Sequence, residues 1–90
     1  MNDYFRKVKL EDFSRAEFLM FLSELNDPKG RTEAEDDRWI EHFRILAKHP
    51  RGADLLFYPE AGKDSDEAVV EEIERYRREN GLPGFKDTDF

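Results

Sequence analysis

The sequence contains no cysteine. That absence excludes a disulfide-stapled scaffold, a Cys-ligated zinc site and a thiol nucleophile, so the fold has to stand on packing alone. It also lacks any long hydrophobic run. The longest apolar stretches, Leu19 to Leu22 and the one within Ala53 to Tyr58, hold four or five residues. Neither a membrane span nor a secretory signal is expected from runs this short, and the protein is expected to stay in the cytoplasm unless something else carries it out. Basic residues are in the minority, with 15 Lys and Arg against 22 Asp and Glu, a net charge of −7 and a pI near 4.8. Direct nucleic-acid binding is not expected, because phosphate contacts need a basic surface; a basic partner suits the charge better.

Motifs of chemistry are missing as well. There is no Gly-rich phosphate loop, no Gly-x-Ser-x-Gly elbow and no His-Glu-x-x-His pattern. His42 and His49, the two histidines, are seven positions apart. On one helix they would lie about 10.5 Å apart along the axis, too far to ligate a single metal ion. Glu41 and His42 are neighbours and would point about 100° apart on a helix, so they are no acid–base pair. A small carboxylate hydrolase with a His base therefore finds no support. The expectation is a protein that is not an enzyme and needs neither cofactor nor metal.

What the 90 residues do contain is aromatic surface: eight Phe, three Tyr and one Trp, within a composition 38% hydrophobic and 41% charged. That is too much apolar ring area for a disordered chain and predicts a compact, strongly solvated domain. Helix signals recur along it. Ser14-Arg15-Ala16-Glu17 has the reciprocal capping pattern, with Phe13 and Phe18 at the staple positions. The apolar residues Phe18, Leu19, Leu22 and Leu25 then keep helical spacing up to the turn Asn26-Asp27-Pro28-Lys29-Gly30. Thr32 and Glu35 repeat the capping pattern ahead of the stripe Trp39, Ile40, Phe43, Leu46, Ala47. Pro50 and Gly52 break the chain before a segment too short for an independent helix. Asp64 or Ser65 caps a last helix with Val69, Val70, Ile73 and Tyr76 inward, closed by Asn80-Gly81. Leu82 to Phe85 is expected to fold back onto the bundle, and most of residues 1–10 to be irregular. The predicted fold is all-α, a small antiparallel four-helix bundle with a short third helix, the helices covering about 15–25, 33–48, 53–58 and 66–79 of a single domain, residues 1–90.

The acidic excess is uneven. Residues 59–90 carry ten acids against five bases, whereas Glu33, Glu35, Asp36 and Asp37 crowd the start of the second helix. Carboxylates in a first turn favour the helix dipole, so this cluster is a site only if a partner meets it. Glu67, Glu71, Glu72 and Glu74, interleaved with Arg75, Arg77 and Arg78, read as a solvated face. The segment Asp54-Leu55-Leu56-Phe57-Tyr58-Pro59 is different. One helical turn cannot direct Phe57 and Tyr58 inward together with both leucines, so at least one ring is expected at the surface beside Asp54. A rigid ring next to a carboxylate is the composition of an interface hot spot, although a core aromatic with its hydroxyl outside fits the same letters.

The run His49-Pro50-Arg51-Gly52-Ala53-Asp54-Leu55-Leu56-Phe57-Tyr58-Pro59, followed by Gly62 and an acidic loop and closed by Asn80-Gly81-Leu82-Pro83-Gly84-Phe85-Lys86, resembles the immunity proteins of DNase-type colicins and S-type pyocins. Ala16-Glu17-Phe18-Leu19 and His42-Phe43 agree as well, and the likeness covers roughly residues 10 to 86. The resemblance implies a bundle that binds the cytotoxic nuclease domain of its own bacteriocin, inhibits it from an exosite beside the catalytic centre and protects the producing cell. It implies a shared binding hot spot at Asp54, Phe57, Tyr58 and Pro59, and discrimination between toxins at Glu33, Asp36, Asp37, Ile40, Glu41 and Arg44. The free protein would be a monomer that leaves the cell only with the toxin. Two places depart from the family pattern: Phe57 stands where Tyr is common, and Asp36 and Asp37 stand where relatives often carry apolar residues. An acidic adaptor or DNA mimic that binds basic proteins in general is the alternative the charge alone would allow.

Overall fold

Helices α1 (Arg15–Leu25), α2 (Glu33–Ala47), α3 (Asp54–Phe57) and α4 (Asp66–Glu79) follow one another in the computed structural model, which describes residues 4–27, 29–57, 62 and 65–87. Short 3₁₀ turns at Tyr4–Arg6 and Leu10–Asp12 precede them, and no strand occurs among the described residues. The architecture is an all-α bundle of four helices with a short third member, in which α1 packs against both α2 and α4.

Local chemistry sets the helix starts. The Ser14 hydroxyl accepts the Glu17 N–H at 3.0 Å while the Glu17 carboxylate accepts the Ser14 N–H at 2.8 Å. Thr32 and Glu35 make the same reciprocal pair, and Ser65 accepts from the Ala68 N–H. Phe13 and Phe18 close the staple across the first cap, with ring centroids 5.8 Å apart and planes perpendicular. The C-terminal end of α2 departs from the expected 33–48. Lys48 turns left-handed at φ 50° while its N–H still reaches the Arg44 carbonyl, so the helix stops at Ala47 and His49 lies beyond it. The two histidines therefore do not share a helix. Helix α3 begins at Asp54, Ala53 belonging to the turn before it; Tyr58, Pro59 and Asp64 lie outside the described residues.

Phe13, Phe18, Phe21 and Phe43 are fully buried, together with Leu10, Leu22, Leu46, Val70 and Ile73. Each such side chain contributes about 1.5–3 kcal/mol of hydrophobic stabilisation, and the edge-to-face rings add to it. Phe85 enters this core from the C-terminal stretch, 5.4 Å from Phe18. The stretch is tied down by the Lys86 N–H to the Phe13 carbonyl at 2.8 Å and by the Arg15 N–H to the Asp87 carboxylate at 3.0 Å.

Two regions are more ordered by packing than their sequence pattern conveys. The N-terminal stretch, expected to be mostly irregular, places Leu10 in the core and Tyr4 against Phe21 at 5.3 Å and Trp39 at 6.0 Å. His42, buried on α2, pins it by sharing its Nε2 between the Tyr4 and Lys7 carbonyls at 2.8 and 2.9 Å. Helix α4 is not simply a solvated charged face. Arg77 is only 3% exposed; its guanidinium donates to the Pro83 carbonyl and, at 3.3 Å each, to the Leu46 and Ala47 carbonyls that end α2. A cation at a helix C-terminus meets the negative end of its dipole. Glu74 is half-buried and bonded to Arg15, and Glu72 is held in the same way by His49 and Arg75.

Candidate functional site

Helical periodicity places Asp37, Ile40, Glu41 and Arg44 along one flank of α2, opposite the core residues Phe43, Leu46 and Ala47. Facing that flank is the turn from His49 to Asp54, and between them lies an open groove of about 660 Å³. Asp37, Glu41 and Asp54 supply its carboxylates, Arg44 and Arg51 its cations, and Ile40, Ile45, Pro50 and Ala53 its apolar surface.

The turn is built around Gly52. Its φ of +52° lies in the left-handed region, and a Cβ there would stand 3.4 Å from the Arg44 Nε. That is ordinary contact, so it is the φ that calls for glycine; Arg44 lies along the turn, and its Nη1 donates to the Glu41 carboxylate at 2.8 Å. Glu41 and Arg44 thus satisfy each other on the groove wall. The carboxylates of Asp37 and Asp54 are exposed and make no hydrogen bond or ion pair among the described residues. They are the carboxylates of the groove left open to another molecule.

Helix α3 is a single turn, held by Leu55, which is buried, and by the Phe57 N–H to the Ala53 carbonyl at 3.1 Å. With Leu55 inward, Phe57 projects outward and is 54% exposed, an unusual state for so large a ring. Asp54 and Phe57 are therefore both presented by the same turn. Tyr58 and Pro59 follow it outside the described residues.

The six candidates on α2 divide. Asp37, Ile40, Glu41 and Arg44 line the groove; Glu33 and Asp36 do not. Glu33 is exposed in the first turn, and Asp36 is directed to Arg31 at 3.3 Å. Arg31 in turn lies over the Trp39 ring at 4.6 Å and donates to the Leu25 carbonyl at 2.6 Å, so Asp36 belongs to the join between α1 and α2. Ile45 lines the groove and is 43% exposed, although the sequence reading did not single it out. The signal available for it was its place one turn after Glu41 and off the buried stripe.

Among the described residues no group of three or more His, Asp or Glu side chains is placed to hold a metal ion, and no helix is long and apolar enough to cross a membrane. What the fold and the groove define is a class: a small helical protein whose surface groove carries open carboxylates, with an exposed Phe on the adjoining short helix. The family is more specific. Residues 10–79 match the family described as colicin immunity protein / pyocin immunity protein, and this chain belongs to it. The chain is 39% identical over 84 residues to the pyocin-S1 immunity protein of Pseudomonas aeruginosa, an alignment covering 89% of this chain and 97% of the relative. The same figures hold for the pyocin-S2 immunity protein of P. aeruginosa. Among solved structures, it resembles a chain in the pyocin AP41 DNase–immunity complex, with a TM-score of 0.80, 32% identity and coverage of 91% of this chain and 100% of that one. It also resembles a chain in the structure of the mutant nuclease domain of pyocin S8 with its cognate immunity protein, with a TM-score of 0.78, 40% identity and coverage of 89% and 99%.

Proposed function

We propose that this chain binds the nuclease domain of its own bacteriocin through the groove between α2 and α3, and so protects the cell that makes the toxin. The observation that carries the reading is the pair of open carboxylates, Asp37 and Asp54, lining one groove, with the half-exposed Phe57 one helical turn after Asp54 on α3. A nuclease must present cations to grip DNA, and those cations are the natural partners of carboxylates left unsatisfied among the described residues.

Within that reading Asp54 and Phe57, together with Tyr58 and Pro59, supply the common binding energy. Asp37, Ile40, Glu41 and Arg44 test the shape and charge of the toxin, and Glu33 and Asp36 add negative potential at the rim. Inhibition works from beside the catalytic centre, by bulk and by repulsion of DNA. The chain contributes no catalytic group, binds no nucleic acid itself and acts as a cytoplasmic monomer until it meets the toxin.

With a net charge of −7, its approach to a cationic domain is steered. Titrating the chain into the nuclease domain of its cognate bacteriocin is expected to abolish DNA cleavage at one equivalent. Stopped-flow mixing is expected to show association slowing steeply between low and physiological salt while dissociation changes little. Undiminished cleavage at excess chain would refute the function, and a salt-independent association rate would refute the steering.

A further inference from the structure

We infer that His49 and Glu72 form a positioning pair that fixes the turn from which Asp54 and Phe57 are presented; the inference rests on the docking surface proposed above. The His49 ring is 4% exposed and is held at both nitrogens. Its Nδ1 accepts the Arg51 N–H at 3.1 Å, which leaves the ring proton on Nε2, where it is donated to the Glu72 carboxylate at 2.9 Å. Tyr76 packs on the ring at 4.7 Å between centroids. Glu72 is itself fixed, accepting from Arg75 through both carboxylate oxygens. One imidazole thus joins α4 to the backbone two residues beyond it.

That backbone is the start of the site. The Arg51 N–H bonded to His49 precedes Gly52, whose own N–H returns to the His49 carbonyl at 2.9 Å, and the Asp54 N–H is donated to the Arg51 carbonyl at 3.0 Å. Each bond in the series hands the geometry on, from Glu72 on α4 through His49 and Arg51 to Asp54 at the head of α3. A helix of four residues has little stability of its own, so its orientation must come from outside it. His49 touches the groove lining, whereas Glu72 lies on α4 and does not line the groove. Glu72 therefore acts only through His49. Preorganised carboxylates and rings bind with less ordering cost, and the difference falls mainly on dissociation.

The test compares Glu72→Leu with Glu72→Gln, two variants of equal charge of which only the second keeps an acceptor for the His49 Nε2–H. Partner binding is measured by surface plasmon resonance against a catalytically inactive nuclease domain of the cognate bacteriocin, with urea unfolding alongside. Glu72→Leu is expected to dissociate about tenfold faster, the scale of one lost charge-assisted hydrogen bond, and Glu72→Gln to stay within about threefold of the parent. In the free protein, ring ¹⁵N shifts are expected to report the Nε2–H tautomer of His49 in the parent and in Glu72→Gln, and a mixture in Glu72→Leu. Equal dissociation rates for Leu and Gln, or an Nδ1–H tautomer in the parent, would overturn the positioning role. Asp54→Ala separates the two levels: if it weakens binding and Glu72→Leu does not, only the positioning role falls. If Asp54→Ala has no effect, the docking surface is wrong and the positioning role goes with it.

Discussion

Truncating Phe57 to alanine tests the docking surface most directly, because its cost divides between the fold and the partner in a proportion the structure sets. A phenylalanine side chain offers about 200 Å² of apolar surface. Phe57 is 54% exposed, so about 100 Å² is free for a partner to cover, which at about 25 cal/mol per Å² is worth about 2.5 kcal/mol, or roughly 70-fold in Kd. The covered part of the ring sets the other side, and the fold loses at most about 2 kcal/mol. Competition against labelled parent for the nuclease domain gives the first quantity, and urea unfolding followed by circular dichroism gives the second. The expected result is a folded, helical Phe57→Ala protein whose Kd is weaker by one to two orders of magnitude. A change in Kd below about threefold would show that the ring is not covered in the complex, and the hot-spot assignment at α3 would be wrong.

Replacing Arg77 by methionine removes three hydrogen bonds to the Leu46, Ala47 and Pro83 carbonyls from a buried cation. Charge-assisted bonds contribute about 1.5–3 kcal/mol each and burial of the cation offsets part of that, so a net loss of about 2–4 kcal/mol is expected by urea unfolding. A loss under about 1 kcal/mol would mean that desolvation cancels the bonds. Acid should also weaken the fold. The Ser14 N–H first, then Lys86 and Lys7, hold Glu17 down from 4.5 to about 2; Arg75 first, then His49, hold Glu72 at about 2 against the effect of burial. Both carboxylates bind their protons less tightly folded than unfolded. Their contribution is therefore complete above about pH 4.5 and disappears as the pH falls towards 2. Burial raises Asp66 and works in the opposite sense. Urea midpoints are expected to fall over that window, and to fall less steeply in Glu17→Gln/Glu72→Gln; an unchanged slope would remove these two groups from the acid response.

The parts of this fold that sequence made legible are those whose cause is local. Ser14 with Glu17, and Thr32 with Glu35, start their helices because partners three residues apart satisfy each other's backbone donors. The stripes from Phe18 and from Trp39 follow from the period of the helix. The flank of α2 that lines the groove is named by the resemblance, along with Glu33 and Asp36; helical spacing accounts only for why Asp37, Ile40, Glu41 and Arg44 share one face. What stayed hidden has causes far away in the chain. Arg77 looks like one more exposed cation until the end of α2 is brought against it, and Tyr4 has no period to announce that His42 will hold its carbonyl. Lys48 gives no sign of its left-handed turn, so the place of His49 against Glu72 could not be read from spacing. Asp36 belongs to Arg31 for a similar reason: the preceding loop brings the guanidinium onto Trp39 and within reach of its neighbour.

The way Phe85 completes the interior bears on timing. Its ring closes against Phe18, and the segment around it is stitched to residues 13 and 15, so the first helix finishes its packing only after α4 and the segment beyond it have been made. A ribosome that has just completed α4 has made every helix of the bundle but not the plug that seals it. The bundle is then sealed late, by a segment that follows all four helices, rather than helix by helix as each emerges.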